Sequence, residues 1–260
     1  MKCYLDDKND RLVYIGYKAD SEMWEERWET VDIEKLFLPR KLCGMDKLVV
    51  DITRKYLPEG SRILEGGCGL GINVHLIERN GYKVIGVDYA EKTIEKMKSL
   101  MPFLDLRCGN LEDLQFDNDY FDGYWSFGVI EHFYHGYDKI AREMLRVLRP
   151  GGYLFLTVPA FSKLRRMKAA LGLFPSFYEE KVDLGNFYQF ALSPEQVKRD
   201  LTEKGFKFVE QTGWSVYKGM SDEIPGSRLV MSLLCRISEG ITERILRNFC
   251  NHMYIFVFRK

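Results

Sequence analysis

Ile63-Leu-Glu-Gly-Gly-Cys-Gly-Leu-Gly-Ile-Asn-Val74 reads as a buried strand running through glycines into a helix. Ser61 to Leu64 supplies a short apolar run, Gly67, Gly69 and Gly71 permit tight turns and close approach of a ligand to the backbone, and helical spacing resumes at Ile72. Such a turn aims helix N-terminal N–H groups at a ligand, whereas glycines that only punctuate a strand and a helix bind nothing. A second apolar strand, Lys83 to Val87, ends in Asp88, about 20 residues further on, where an acid grips ribose hydroxyls in nucleotide-binding βαβ units.

Glycine spacing separates dinucleotides from S-adenosylmethionine. Counting from Gly67, G-x-G-x-x-G needs a third glycine at position 72, where Ile72 stands. Glu65-x-Gly67-x-Gly69-x-Gly71 instead resembles the first motif of class I S-adenosylmethionine-dependent methyltransferases, within their methyltransferase type 11 (UbiE-like) group. The resemblance implies S-adenosylmethionine as methyl donor and S-adenosylhomocysteine as product. It places Glu65 near the cofactor's amino-acid portion and counts Gly67, Gly69, Asp88 and Tyr89 among the cofactor contacts.

Two further stretches carry the same resemblance. Gly109-Asn-Leu-Glu-Asp-Leu-Gln-Phe116 is similar to the family's adenine-contacting G-D-x-x-x-L-P-F motif, with Asn110 in place of the aspartate. An amide oxygen still accepts from the adenine amine, and the Leu111 N–H suits adenine N1; alternatively Asn110 only opens a turn. Phe121-Asp-Gly-Tyr-Trp-Ser-Phe-Gly-Val-Ile-Glu-His132 resembles F-D-x-V-x-S-x-x-V-L-E-H. Ligands of open α/β sheets bind beyond the carboxyl ends of the strands, so Ser126, Phe127 and Gly128 should face the cofactor while Glu131 and His132 start a helix. His132 is the candidate general base, or else a satisfied helix-start residue. Neither the N/D-P-P-Y/F sequence of nucleic-acid amino-methyltransferases nor an Asp-Asn pair suited to Mg²⁺ is found, so a metal-free enzyme is expected.

The 260 residues, with formal net charge zero and 46% hydrophobic content, suit one domain and give no support for a nucleic-acid partner. Six cysteines lie scattered without metal-ligand spacing and no signal peptide precedes them, which fits reduced thiols in a cytoplasmic protein. Strands are expected near 61–66, 83–87, 103–108, 120–125, 152–158, 206–211 and 252–259, and helices near 45–56, 71–80, 90–100, 137–149 and 193–205, with Arg149-Pro-Gly-Gly152 as a turn. The fold class is α/β: a three-layer, doubly wound seven-stranded sheet of order 3-2-1-4-5-7-6 with strand seven antiparallel. One methyltransferase domain over 1–260 would carry an N-terminal helical lid (1–57), a core (58–160), a substrate-cap insertion (161–190) and a C-terminal part (191–260) including a helical insertion (222–249).

Trp24-Glu-Glu-Arg-Trp28 puts two tryptophans on one helical face at i and i+4. Core packing is one use of that face. The segment also resembles those of thiopurine-methyltransferase relatives, which fold over the cofactor, and this makes Trp24 a cofactor contact whose aromatic face suits a sulfonium. In the 161–190 insertion, Phe177 and Tyr188 are the candidate substrate contacts. Lys163, Arg165, Arg166 and Lys168 would serve an acidic group on the ligand or form a solvated basic face. Residues 228–248 read as an amphipathic helix for packing, dimerisation or membrane-surface contact, in that order, with no membrane span. A small-molecule acceptor, a monomer or homodimer and direct displacement at the sulfonium methyl are expected, with the choice between O-, N- and C-methylation open. The rivals are an NAD-dependent oxidoreductase and a non-catalytic S-adenosylmethionine-binding regulatory protein.

Overall fold

The computed structural model describes residues 1–38, 42–224, 226–227 and 245–260, with Glu34 described by its backbone alone. The chain opens with strands β1 (Lys2–Asp6) and β2 (Arg11–Ile15), then helices α1 (Ser21–Glu29), α2 (Ile33–Phe37) and α3 (Gly44–Tyr56). An alternating series follows: β3 (Arg62–Gly66), α4 (Ile72–Glu78), β4 (Lys83–Asp88), α5 (Glu91–Leu100), β5 (Asp105–Cys108), β6 (Phe121–Phe127), α6 (Asp138–Val147) and β7 (Leu148–Pro159). Next come α7 (Lys163–Ala170), β8 (Phe187–Leu192), α8 (Pro194–Glu203), β9 (Lys207–Trp214), α9 (Val216–Glu223) and β10 (Met253–Arg259).

Seven strands form one sheet in the order β5-β4-β3-β6-β7-β10-β9, with β10 antiparallel to both neighbours. This is the expected order. Successive residues along a strand point to opposite faces, so Leu64, Tyr124, Leu154 and Phe256 build one core while Ile63, Trp125, Phe155 and Ile255 build another. Both faces are therefore apolar and covered, as parallel strands require. Trp125 is fully buried, stacks on Phe127 and Phe155, and donates from Nε1 to Thr53 Oγ1 of α3 at 3.0 Å. Each fully buried side chain of this size contributes roughly 1.5–3 kcal/mol by leaving water. That seam fixes the end of β6, where the site begins.

Helix boundaries follow local chemistry. Gly71, at φ +71°, turns the chain into α4, and Ser193 caps α8 by accepting from Gln196 N, with Pro194 at the first turn. The register of β6 against β7 jumps from Phe121↔Leu148 to Gly123↔Tyr153. Residues 149–152, expected as a turn, thus form a bulge inside β7, with Gly151 at φ +80°.

The expected helical lid over residues 1–57 is not helical at its start. β1 and β2 form an antiparallel hairpin whose second strand pairs with β8 to make a separate three-stranded sheet. The hairpin turn is Asp7-Lys8-Asn9-Asp10, closed by the Asp6 side chain accepting from Asn9 N and by left-handed Asp10 (φ +50°). Pairing Leu12↔Ala191 and Val13↔Phe190 gives the sheet two buried faces: Leu12 and Ala191 meet Phe161, while Val13 and Phe190 join the main core. The expected cap insertion thus ends in β8.

Three of the four basic residues of α7 are structural, and the fourth, Lys163, is exposed. Arg165, 3% exposed, donates to Glu223 Oε1 and the Ala160 carbonyl at 2.7 Å each, and Lys168 meets Glu223 Oε2 at 2.6 Å. Arg166 pairs with Asp10 at 2.7 Å and Glu195 at 3.4 Å. These pairs tie α7 to the hairpin turn, α8 and α9, so three of the four charges expected to meet an acidic ligand already hold carboxylates. The amphipathic reading of residues 228–248 falls largely outside the described residues. Ile245, which is described, is exposed. No helix among the described residues is long and apolar enough to cross a membrane.

Candidate active site

The turn after β3 is held against β4 by its own backbone. Gly67 N and Cys68 N both donate to the Val87 carbonyl, at 2.8 and 3.2 Å. Gly67 and Gly69 have φ of +79° and +48°, and a Cβ on Gly67 would stand 2.4 Å from Val129 Cγ2, so both strain and space demand glycine there. Asp88 closes the arrangement: Oδ2 accepts Gly69 N–H at 2.8 Å and Oδ1 accepts Ala90 N–H at 2.9 Å. Burial pushes the Asp88 pKa up against the pull of these donors.

Above the turn lies a cavity of about 630 Å³, within the range for small-molecule sites. Among the residues named from sequence, Trp24, Gly67, Gly69, Asp88, Tyr89, Asn110, Leu111, Phe127, Gly128 and His132 line it. Four others do not. Ser126 is completely buried in β6 and its Oγ finds no partner among the described residues. Phe177 packs on Tyr4, its N–H bonded to the Leu5 carbonyl at 2.8 Å, so it belongs to the hairpin sheet. Tyr188 stands one layer behind His132, with ring centroids 5.1 Å apart. Glu65 lies beside α4, as described below.

Further lining residues escaped the sequence reading as site residues. Trp28 follows the same helical face as Trp24, with rings stacked 5.9 Å apart, and a Cβ on Gly69 would meet its indole at 3.3 Å. Asp20 caps α1 through Met23 N at 3.1 Å and also lines the cavity; an aspartate ahead of a helical pattern is the available signal. Ala19, Val129 and Phe133 complete the wall. α1 is anchored over the site through Glu25, which meets Lys92 Nζ at 3.0 Å at the start of α5. Asn110 serves both readings, because Oδ1 accepts Glu112 N–H at 2.9 Å in a local turn while the residue borders the cavity.

Two buried carboxyls flank the cavity. Glu65 is 1% exposed, receives Asn73 Nδ2 on Oε1 at 3.3 Å and leaves Oε2 without a partner. Burial, with the charge of Asp88 adding, raises its pKa to about 8. Glu131, 2% exposed, has Oε1 3.2 Å from where a Cβ of Gly128 would sit, and burial raises it to about 8 as well. Both are mainly protonated at neutral pH.

His132 ends a short 3-10 turn, Ile130–His132, and its Nδ1 lies 2.7 Å from the Tyr188 carbonyl. A carbonyl only accepts, so Nδ1 carries the proton and Nε2 of the neutral ring is left as an acceptor. Burial, opposed by that hydrogen bond and assisted by the positive charge of Arg27, lowers the pKa below its ordinary value. Trp24 stands edge-on to the imidazole at 5.4 Å. Among the described residues no group of His, Cys, Asp or Glu is arranged to hold a metal ion.

Residues 64–156 match the family model described as a methyltransferase domain. A probable S-adenosylmethionine-dependent methyltransferase of Mycolicibacterium smegmatis is 38% identical over 100 residues, covering 38% of this chain and 38% of that protein. A ubiquinone biosynthesis O-methyltransferase of Agrobacterium fabrum is 29% identical over 162 residues, 60% of this chain and 63% of that protein. The chain thus spans less than two thirds of the length of these curated relatives. The solved S-adenosylmethionine-dependent methyltransferase of Archaeoglobus fulgidus shares the fold, with a TM-score of 0.55 at 20% identity over 83% of this chain and 94% of that one. The matched segment runs from β3 through the glycine turn into β7 and contains no third dinucleotide glycine; over it the chain is similar to S-adenosylmethionine-dependent methyltransferases, and its fold is theirs.

Proposed function

We propose that the protein methylates a hydroxyl group of a small molecule, with His132 as general base. The observation that carries this reading is the 2.7 Å contact between His132 Nδ1 and the Tyr188 carbonyl, which leaves Nε2 as an acceptor on a residue lining the cavity. An amine or a pre-ionised nucleophile needs no base, whereas an alcohol or phenol does. Tyr188 acts here by positioning His132.

The cavity residues fit S-adenosylmethionine. Asp88 would take the ribose hydroxyls on its remaining lone pairs, Asn110 and Leu111 would border adenine, and Trp24 and Trp28 would roof the sulfonium. Glu65, with a buried and unpartnered carboxyl oxygen, would meet the ammonium of the amino-acid portion. Bound there, the cofactor supplies an electrophilic methyl group. The protein's part is to hold the acceptor oxygen in line, exclude water beneath α1 and receive the hydroxyl proton at His132 Nε2.

Calorimetry with S-adenosylhomocysteine and NAD, followed by a methyl-transfer screen over phenols, amines and thiols, tests the reading. Binding of the first ligand alone and turnover on a phenol are expected. Tighter binding of NAD would return the oxidoreductase alternative, and turnover confined to amines would remove the base from the mechanism. Glu65 gives a separate check. An ammonium beside Glu65 favours the ionised carboxylate, so a group that titrates at about 8 in the free protein should release up to about one proton on S-adenosylhomocysteine binding at neutral pH. The release should fade above about pH 9, where the free carboxyl is already ionised. Binding enthalpies in phosphate and Tris read the proton count, and E65Q should abolish it. An enthalpy independent of buffer in the unsubstituted protein would remove Glu65 from the cofactor site.

A further inference from the structure

Beside Trp24, which lines the cavity, one guanidinium is left over. Arg27 is on the exposed side of α1, with Cζ 5.5 Å from the ring of Trp24, which itself lines the cavity and meets His132 edge-on. Its charge is felt by the side chain of Tyr188, whose ring packs tilted against Tyr17 with centroids 4.5 Å apart and whose carbonyl holds His132. The acids of α1, Glu22, Glu25, Glu26 and Glu29, fall at none of the i±3 and i±4 positions that reach Arg27. It makes no ion pair with a carboxylate of the described residues. In α7, by contrast, Arg165, Arg166 and Lys168 are consumed by Glu223, Asp10 and Glu195. Asp20, the acid that lines the cavity from α1, lies seven residues earlier, about 10 Å along the helix, and is turned to capping and to Lys18 at 3.3 Å.

We propose that Arg27 is a specificity residue that recognises an oxyanion, carboxylate or phosphate, on the methyl acceptor, holding it at the cavity rim beside Tyr188 so that the acceptor's hydroxyl reaches His132. This rests on the methyltransferase reading above. A planar guanidinium pairs with either oxyanion through two parallel N–H donors, a geometry that lysine cannot reproduce. The aromatic group of Trp24, Tyr17 and Tyr188 would by itself also suit a cationic acceptor through its ring faces, but the charge of Arg27 opposes an ammonium at the same place.

The test uses the full chain. S-adenosylhomocysteine is titrated first, and its failure to bind overturns the methyltransferase reading together with this inference. The cofactor-loaded protein is then titrated with 4-hydroxybenzoate, 4-hydroxyphenyl phosphate, uncharged 4-hydroxybenzamide and cationic tyramine. At least one oxyanion should bind about tenfold or more tightly than the amide, as a charge-assisted hydrogen-bond pair provides, and the two anions rank carboxylate against phosphate. R27M, which keeps the apolar stem, should erase the preference while leaving S-adenosylhomocysteine affinity within a few-fold; R27K should restore it only in part. If cofactor binds but the amide or tyramine equals the anions, if no anion binds, or if the preference survives R27M, the inference falls and the methyltransferase reading stands.

Discussion

Replacing Asp88 by alanine is expected to weaken S-adenosylhomocysteine binding by about two to four orders of magnitude, since hydrogen bonds to a charged group are each worth roughly 1.5–3 kcal/mol and two partly add. The carboxylate already accepts Gly69 N–H and Ala90 N–H, so its loss also strips the glycine turn of its clasp to β4. Binding and turn geometry are separated by a second ligand, the 2′,3′-dideoxy analogue of S-adenosylhomocysteine. The unsubstituted protein should prefer the hydroxylated ligand by about tenfold or more, and D88A should bind both alike, because only the ribose contact depends on the hydroxyls. Calorimetry reads both, with circular dichroism as the check on folding. A loss smaller than about threefold, or a preference for the hydroxyls that persists in D88A, would remove Asp88 from the ribose.

What could be read from the sequence was what neighbouring residues enforce on one another. Gly67 and Gly69 are demanded by local backbone angles, and the strand-to-turn-to-helix pattern around them is contiguous. The stretch from Phe121 to His132 carries β6 and the turn beyond it in one run, so His132 and Gly128 fell at the cavity as expected. Long-range pairing was the opaque part. β2 finds its partner in β8, so nothing near Arg11–Ile15 announces a sheet except the Asp7-Lys8-Asn9-Asp10 turn between two short strand-like runs. The same blindness moved Phe177 out of the site, since its neighbour Tyr4 lies on the opening strand. It also misread Arg165, Arg166 and Lys168, whose carboxylates come from the hairpin turn, α8 and α9. A charge cluster in sequence shows which charges are present but not which of them remain unpaired.

With a hydroxyl acceptor, H132Q should lower kcat/KM by about 10²- to 10⁴-fold, the usual worth of a positioned general base, while S-adenosylhomocysteine affinity stays within a few-fold. Glutamine retains a donor for the Tyr188 carbonyl but offers no basic nitrogen, so the contact is kept and the proton acceptor is lost. The pH dependence carries the sign. The groups around the ring are Arg27 and Trp24 from α1 and the Tyr188 carbonyl from β8; burial first, then the Arg27 charge, hold the pKa below its ordinary 6.5 against the carbonyl's pull. The base works only when neutral, so kcat/KM should rise with pH through a midpoint below 6.5 and level off near neutrality, and H132Q should lack that acidic limb. The nucleophile provides the last discrimination. A phenol acidic enough to be ionised at the assay pH, such as 4-nitrophenol above about pH 7.5, needs no base, so its penalty from H132Q should shrink towards unity while that of an unactivated phenol stays large. Equal penalties for the two phenols would mean that His132 shapes the cavity and does not take the proton.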